Sequence, residues 1–100
     1  MEAKIEQQGE KAIITISGRL DSMNSGDFEK TVEPILTGNT KDVEVNCVNF
    51  EYISSSGLRI FLSILKSVKS RGGSVLIRDM NADLRGIFDM CGFSPLFKFE

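Results

Sequence analysis

The sequence has no histidine and only two cysteines. Histidine is the usual base for a nucleophilic serine and the commonest partner ligand for zinc, so its absence weighs against a serine hydrolase and against a metal site. Cys47 and Cys91 are far apart in the chain and share no C-x-x-C spacing. We expect both thiols to be reduced and packed among apolar neighbours, and we expect no cofactor.

Long runs of basic or apolar residues are absent too. The 12 basic and 14 acidic residues give a net charge of -2, and the scattered basic residues offer no surface for the phosphates of DNA or RNA. No apolar run approaches the ~20 residues that span a bilayer, and the opening MEAKIEQQGEK lacks the apolar segment of a signal peptide. The sequence therefore predicts a cytoplasmic protein with no direct nucleic-acid partner and no membrane insertion.

The remaining composition is that of an ordinary globular protein, with 41% hydrophobic and 26% charged residues among 100. This length predicts one domain over residues 1–100. A hairpin with a turn around Gly9 is followed by strands that alternate with helices, so we predict an α/β fold: a mixed β-sheet of four to five strands with helices packed on it. The predicted strands are 4–8, 12–17, 42–48, 74–78 and 96–100.

Three segments have apolar residues at helical spacing. In the first, Asn24 or Ser25 can provide the N-cap, and Pro34 predicts a kink or an early end. The second runs from Leu58 and is stopped by Gly72. It is mostly apolar and therefore mostly buried.

The third predicted helix begins at Asn81 and ends at Gly92, with Cys91 on its inner face. The predicted core combines the second helix with two strands. Its residues are Val45, Phe61, Leu62, Leu65, Leu76 and Ile77.

Three consecutive serines stand directly before the second helix, in YISSSGLRIFL (residues 52–62). One interpretation is structural, because a serine N-cap stabilises a helix by about 1 kcal/mol. A nucleophilic serine would lack its base, and one glycine without G-K-[ST] is too little for a phosphate-binding loop. Phosphorylation by another protein needs no local base, and a phosphate at a helix start faces free N–H groups and the positive end of the helix dipole.

The chain resembles the STAS domain family, and within it the bacterial anti-sigma factor antagonists, in three segments: GRLDSMNS, VEVNCVNFEYISSSGLRIFL and IRDMNADLRGIFDMCGF. In that family D-S-[ST]-G-L stands near the second helix, and its first hydroxyl residue is phosphorylated. The match implies Ser55 as the phosphorylated residue, with Ser56 as the alternative, and Asp21 as an acidic residue close to it. Ser54 stands where the family commonly has Asp, and Asn46 stands where the third strand often carries Asp.

The resemblance implies a regulator and not an enzyme. Such a protein binds an anti-sigma factor that is also a serine kinase and so frees a sigma factor. Phosphorylation switches it off, and a cognate phosphatase is the further partner. The alternative is a STAS module that binds a nucleotide or a larger signalling assembly without being phosphorylated.

We expect the partner surface to lie where the loop after the second strand meets the start of the second helix. Loops and helix starts that follow parallel strands converge on one edge of an open sheet, which is where such folds place their sites. The expected surface comprises Asp21, Ser22, Met23, Asn24, Ser54, Ser55, Ser56, Gly57 and Arg59.

Overall fold

The chain begins with the predicted hairpin. In the computed structural model, which describes residues 1–100, β1 (Glu2–Gln8) pairs antiparallel with β2 (Lys11–Leu20). Gly9 in the turn has a φ of 64°, which glycine adopts without strain. Both strands are longer than predicted, because the residues next to the predicted ends are still paired.

The rest of the chain alternates between helix and strand as predicted. β2 to β5 run parallel, and the strands lie in the sheet in chain order. The predicted mixed α/β sheet is therefore confirmed, and no helix is both long and apolar enough to cross a membrane. The remaining elements are α1 (Ser25–Thr37), β3 (Asp42–Ile53), α2 (Ser55–Ser70), β4 (Ser74–Arg78), α3 (Ala82–Met90), a 3-10 turn (Ser94–Leu96) and β5 (Lys98–Phe99).

The helices cover one face of the sheet. Successive right-handed crossovers that advance in one direction place their helices on the same side, and the strand residues facing that side are buried. The opposite face is open to solvent and carries an ion-pair cluster, in which Glu44 lies 3.5 Å from the Nζ of Lys11 and 3.0 Å from the Nε of Arg78. The buried strand residues are Ala12, Ile14, Ile16, Leu20, Val43, Val45, Cys47, Phe50, Ile53, Val75 and Ile77.

Phe61 of α2 lies at the centre of the core. Its ring stacks on Phe28 and Phe50 at centroid distances of 5.9 and 6.1 Å, and meets Phe88 edge-on at 5.8 Å. These rings join α1, β3, α2 and α3, so the position of α2 on the sheet is set by aromatic packing.

Two of the six predicted core residues are only half-buried. Val45, Phe61, Leu65 and Ile77 are buried, but Leu62 and Leu76 are not. Leu76 points to the open face of the sheet, and Leu62 lies at the margin of the buried stripe of α2. The prediction was wrong for Leu76, whereas Leu62 packs against the core without being fully buried.

Helix α1 does not end early at Pro34, which lies within its last turn. The guanidinium of Arg71 donates hydrogen bonds to the carbonyls of Ile35, Leu36 and Thr40 at 2.8 to 2.9 Å. Carbonyls at a helix end lack intrahelical donors. Arg71 therefore stabilises the last turn of α1, where the sequence predicts a kink or an early end.

The two cysteines differ in environment. Cys47 is buried as predicted, and burial, with a smaller contribution from the Asp79 carboxylate, raises the pKa of its thiol to about 12. Cys91 is exposed, which contradicts its prediction as a packing residue. It stands at the C-cap of α3, beyond Phe88, the last side chain of that helix that is buried in the core.

Candidate functional site

The two halves of the expected partner surface begin at the same point of the sheet. Leu20 and Ile53, the last residues of β2 and β3, are paired in parallel register. The backbone N–H of Ser54 donates to the carbonyl of Leu20 at 2.8 Å. The loop that follows β2 and the first turn of α2 are therefore adjacent, as the topology argument predicts.

The loop of residues 21–24 is held by its own side chains. An Oδ1 of Asp21 accepts from the N–H groups of Met23 and Asn24 at 2.9 and 3.1 Å. Asn24 accepts from the N–H of Asp21 and donates to the carbonyl of Arg19, both at 2.9 Å. Ser22 is exposed, and Met23 is 93% exposed. The loop thus presents an apolar side chain to solvent on an ordered backbone.

These bonds also correct the predicted cap of α1. Asn24 does occupy the N-cap position, but its side chain makes no capping hydrogen bond, and neither does Ser25. The amide of Asn24 is used within the loop instead. Asn24, which the sequence predicts both as a possible cap and as part of the partner surface, therefore holds the loop and does not cap α1 with its side chain.

Ser54 is the N-cap of α2. Its Oγ accepts from the N–H of Gly57 at 3.2 Å and lies 2.9 Å from the Oγ of Ser56. Ser54 and Ser56 are both half-buried. The structural interpretation of the serines thus applies to Ser54, and the hydroxyl of Ser56 is already engaged.

The hydroxyl of Ser55 is the free one. Ser55 is exposed, its side chain makes no hydrogen bond, and the first turn of α2 contains no acidic residue. The first turn of a helix presents free N–H groups and the positive end of the helix dipole. An anion attached at Ser55 would therefore meet a favourable local field and no competing carboxylate in its own turn.

Gly57 allows the first turn of α2 to approach the strands closely. A Cβ at this position would lie 2.8 Å from the Cδ2 of Leu20 and 3.0 Å from the Cγ1 of Ile53. Leu20 is fully buried and has little room to move. The absence of a side chain at Gly57 thus allows the first turn of α2 to pack directly on Leu20 and Ile53.

A polar groove of about 300 Å³ lies between α1 and α2, next to the serines. Arg59 lines it from α2 and Glu29 from α1, and Arg59 takes part in none of the ion pairs of the protein. Sequence reasoning found Arg59 but missed the α1 side of the groove, because only tertiary packing brings α1 beside α2. The full lining is Ser25, Gly26, Glu29, Ser56, Arg59, Ile60 and Ser63.

This arrangement can be compared with known proteins. A family model described as the STAS domain matches residues 2–100. The chain belongs to the STAS domain family. The family that the three sequence segments indicated is therefore confirmed.

Relatives of this STAS domain include the anti-sigma-B factor antagonist of Staphylococcus epidermidis, which is 28% identical over 83 residues, or 83% of this chain and 77% of the relative. Two solved structures share its fold. The anti-sigma factor antagonist SpoIIAA in its unphosphorylated form has a TM-score of 0.79 at 17% identity, covering 99% of this chain and 87% of that one. The Bacillus SpoIIAA in its phosphorylated form has a TM-score of 0.77 at 18% identity, covering 99% and 91%.

Proposed function

We propose that this STAS domain is an anti-sigma factor antagonist whose binding surface is switched by phosphorylation of Ser55. In the unmodified state it binds an anti-sigma factor with serine kinase activity and so frees a sigma factor. The observation that carries the proposal is the exposed, unbonded hydroxyl of Ser55 at the start of α2, beside an ordered loop. The names of the relatives support the class of function, and the phosphorylated form of SpoIIAA supports the modification.

Ser55 is the better acceptor of the two candidate serines. Phosphorylation of Ser56 would first have to break its contact with Ser54 and would place the phosphate at a half-buried position. At Ser55 the Oγ forms a bond to the γ-phosphorus of ATP, ADP leaves, and the hydroxyl proton is released. The antagonist itself receives the phosphoryl group and catalyses no reaction, and a cognate phosphatase restores the hydroxyl.

Phosphate at Ser55 would disrupt binding without harming the fold. A phosphate with a charge of about -1.5 to -2 in a packed interface has a desolvation cost of several kcal/mol unless partner cations meet it, and each 1.4 kcal/mol is a tenfold loss of affinity. At the helix N-terminus the same charge is favourable by up to ~1 kcal/mol. The structure of the domain should therefore survive while the complex dissociates.

The experiment pairs each serine with its own control. The wild type and the Ser55→Ala, Ser55→Asp and Ser56→Ala variants are mixed with each purified anti-sigma factor kinase of the source organism. Affinity is measured by calorimetry, and phosphorylation by ATP is mapped by peptide mass spectrometry. The kinase should label wild type and Ser56→Ala but not Ser55→Ala. Ser55→Asp should bind at least tenfold more weakly at an unchanged Tm.

Two outcomes would contradict this function. If the kinase labels Ser56 of the Ser55→Ala variant at the wild-type rate, Ser56 and not Ser55 is the phosphorylated residue. Wild-type affinity of Ser55→Asp, with neither serine labelled by any kinase, would favour the constitutive module. A calorimetric titration with nucleotides then tests whether that module binds one.

A further inference from the structure

Arg59 stands four residues after Ser55 in α2, one helical turn further along. Side chains four apart lie on the same face of a helix, and long side chains lean back toward the helix N-terminus. Both residues are exposed. A rotamer of Arg59 that leans toward the helix N-terminus would bring its guanidinium into the space directly outside the Ser55 hydroxyl.

No acidic side chain pairs with this guanidinium in the unmodified protein. It forms no ion pair with any carboxylate, although Glu29 lines the same groove. The first turn of α2, which precedes Arg59, contains no acidic residue. The guanidinium of Arg59 is thus free of ion pairs and belongs to a residue one helical turn beyond Ser55.

We propose that the phosphate on Ser55 is bound by Arg59 of the same helix, which withdraws this cation from the partner surface. The proposal deepens the function above and rests on it. The planar guanidinium can donate two parallel hydrogen bonds to phosphate oxygens, a geometry that a lysine ammonium cannot reproduce. Phosphorylation then makes two changes together: it adds a dianion, and it neutralises the charge that the unmodified surface offers to carboxylates of a partner.

The test uses protein in which phosphoserine is inserted at position 55 during translation, so that no kinase is required. A cation beside the phosphate favours its dianion, so removing that cation should raise the pH midpoint of the phosphate titration followed by ³¹P NMR. Arg59→Gln should move this midpoint upward by about 0.3 pH unit or more, and Arg59→Lys by less.

Lys66→Gln is the matched control. It removes one positive charge from the same helix, at about 16 Å along the axis from Ser55, where salt screens its field, and should leave the midpoint unchanged. If Arg59→Gln and Lys66→Gln titrate alike, the proposal is wrong. Failure of every kinase to label Ser55 would contradict the proposed function instead, because the titration of the inserted phosphoserine does not depend on any kinase.

Discussion

The backbone N–H of Ser54 and the carbonyl of Leu20 are joined by a hydrogen bond of 2.8 Å, which ties the first turn of α2 to the end of β2. Because the bond is between backbone groups, side-chain changes around it leave it in place. The contributions of the cap, of the close approach of the helix and of the Ser55 hydroxyl to stability and binding can therefore be measured one at a time.

The close approach of α2 to the strands is tested by Gly57→Ala. In an unhindered helix, replacing glycine by alanine stabilises by up to about 1 kcal/mol. Here the new Cβ would lie 2.8 Å from the Cδ2 of the buried Leu20, and overpacking of this kind typically costs about 1 to 3 kcal/mol. We expect urea denaturation to show a lower free energy of unfolding and, because Ser55 would be displaced, weaker partner binding.

Gly86→Ala is the matched control for this change. Gly86 also lies in a helix, α3, and a Cβ there would meet nothing within 4 Å. This variant should gain about 0.5 to 1 kcal/mol. If both variants gain the same free energy of unfolding, a Cβ at residue 57 fits beside Leu20 and the close approach of α2 to the strands is wrong.

The cap of α2 is tested by Ser54→Ala. The Oγ of Ser54 is the acceptor for the N–H of Gly57, so its loss should lower the free energy of unfolding by about 1 kcal/mol. Ser54→Asp should restore the cap and add favourable charge at the helix start. Ser55→Ala removes a hydroxyl that caps nothing, and its stability should stay within about 0.5 kcal/mol of wild type. Thermal melts of the three variants test whether Ser54, and not Ser55, caps α2.

The start of α2 could be predicted from the sequence because neighbouring residues determine it. A run of serines before an apolar helical stripe predicts a cap and an exposed first turn from neighbouring residues alone. Which serine caps the helix was not predictable from local pattern, since any of the three could cap until the helix start is placed, and only the family resemblance singled out Ser55. The sequence indicated the loop of residues 21–24 for a similar reason: it follows directly on a strand of the predicted sheet.

The misassigned residues depend on contacts between distant parts of the chain. In the segment SVLIR, Val75, Leu76 and Ile77 are all apolar, so no alternation showed that one face of the sheet stays open and leaves Leu76 half-buried. The bonds from Arg71 to the end of α1 span more than thirty positions and leave no local pattern. The contribution of Glu29 to the groove is hidden from the sequence in the same way.

Arg71 provides the next prediction. Its guanidinium satisfies carbonyls at and just after the end of α1, and hydrogen bonds from a charged donor contribute about 1.5 to 3 kcal/mol. Arg71→Ala should therefore lower the free energy of unfolding by about 2 kcal/mol, and Arg71→Lys by less. Lys69→Ala removes a nearby exposed charge and should cost under about 0.5 kcal/mol. If urea denaturation shows comparable losses for Arg71→Ala and Lys69→Ala, the hydrogen bonds of Arg71 do not stabilise the end of α1.

The buried thiol of Cys47 predicts a loss of stability in alkali. Its pKa is raised from 9.0 to about 12 by burial and by Asp79, so the folded state holds the thiol proton more tightly than the unfolded state does. The stability that results is complete below pH 9 and is lost as the pH rises toward 12, by up to about 1.4 kcal/mol per pH unit. Cys47→Ala should therefore show a shallower fall of the unfolding free energy between pH 9 and 11.

This pH series is run in reducing buffer, with Cys91→Ala as the control. Cys91 is exposed, so its removal should leave the alkaline slope of the wild type unchanged. Cys47→Ala will also lose some stability at pH 7 from the small cavity it creates, and for that reason the slope is compared and not the absolute value. Parallel curves for wild type and Cys47→Ala above pH 9 would show that the thiol of Cys47 loses its proton as readily in the folded state as in the unfolded one.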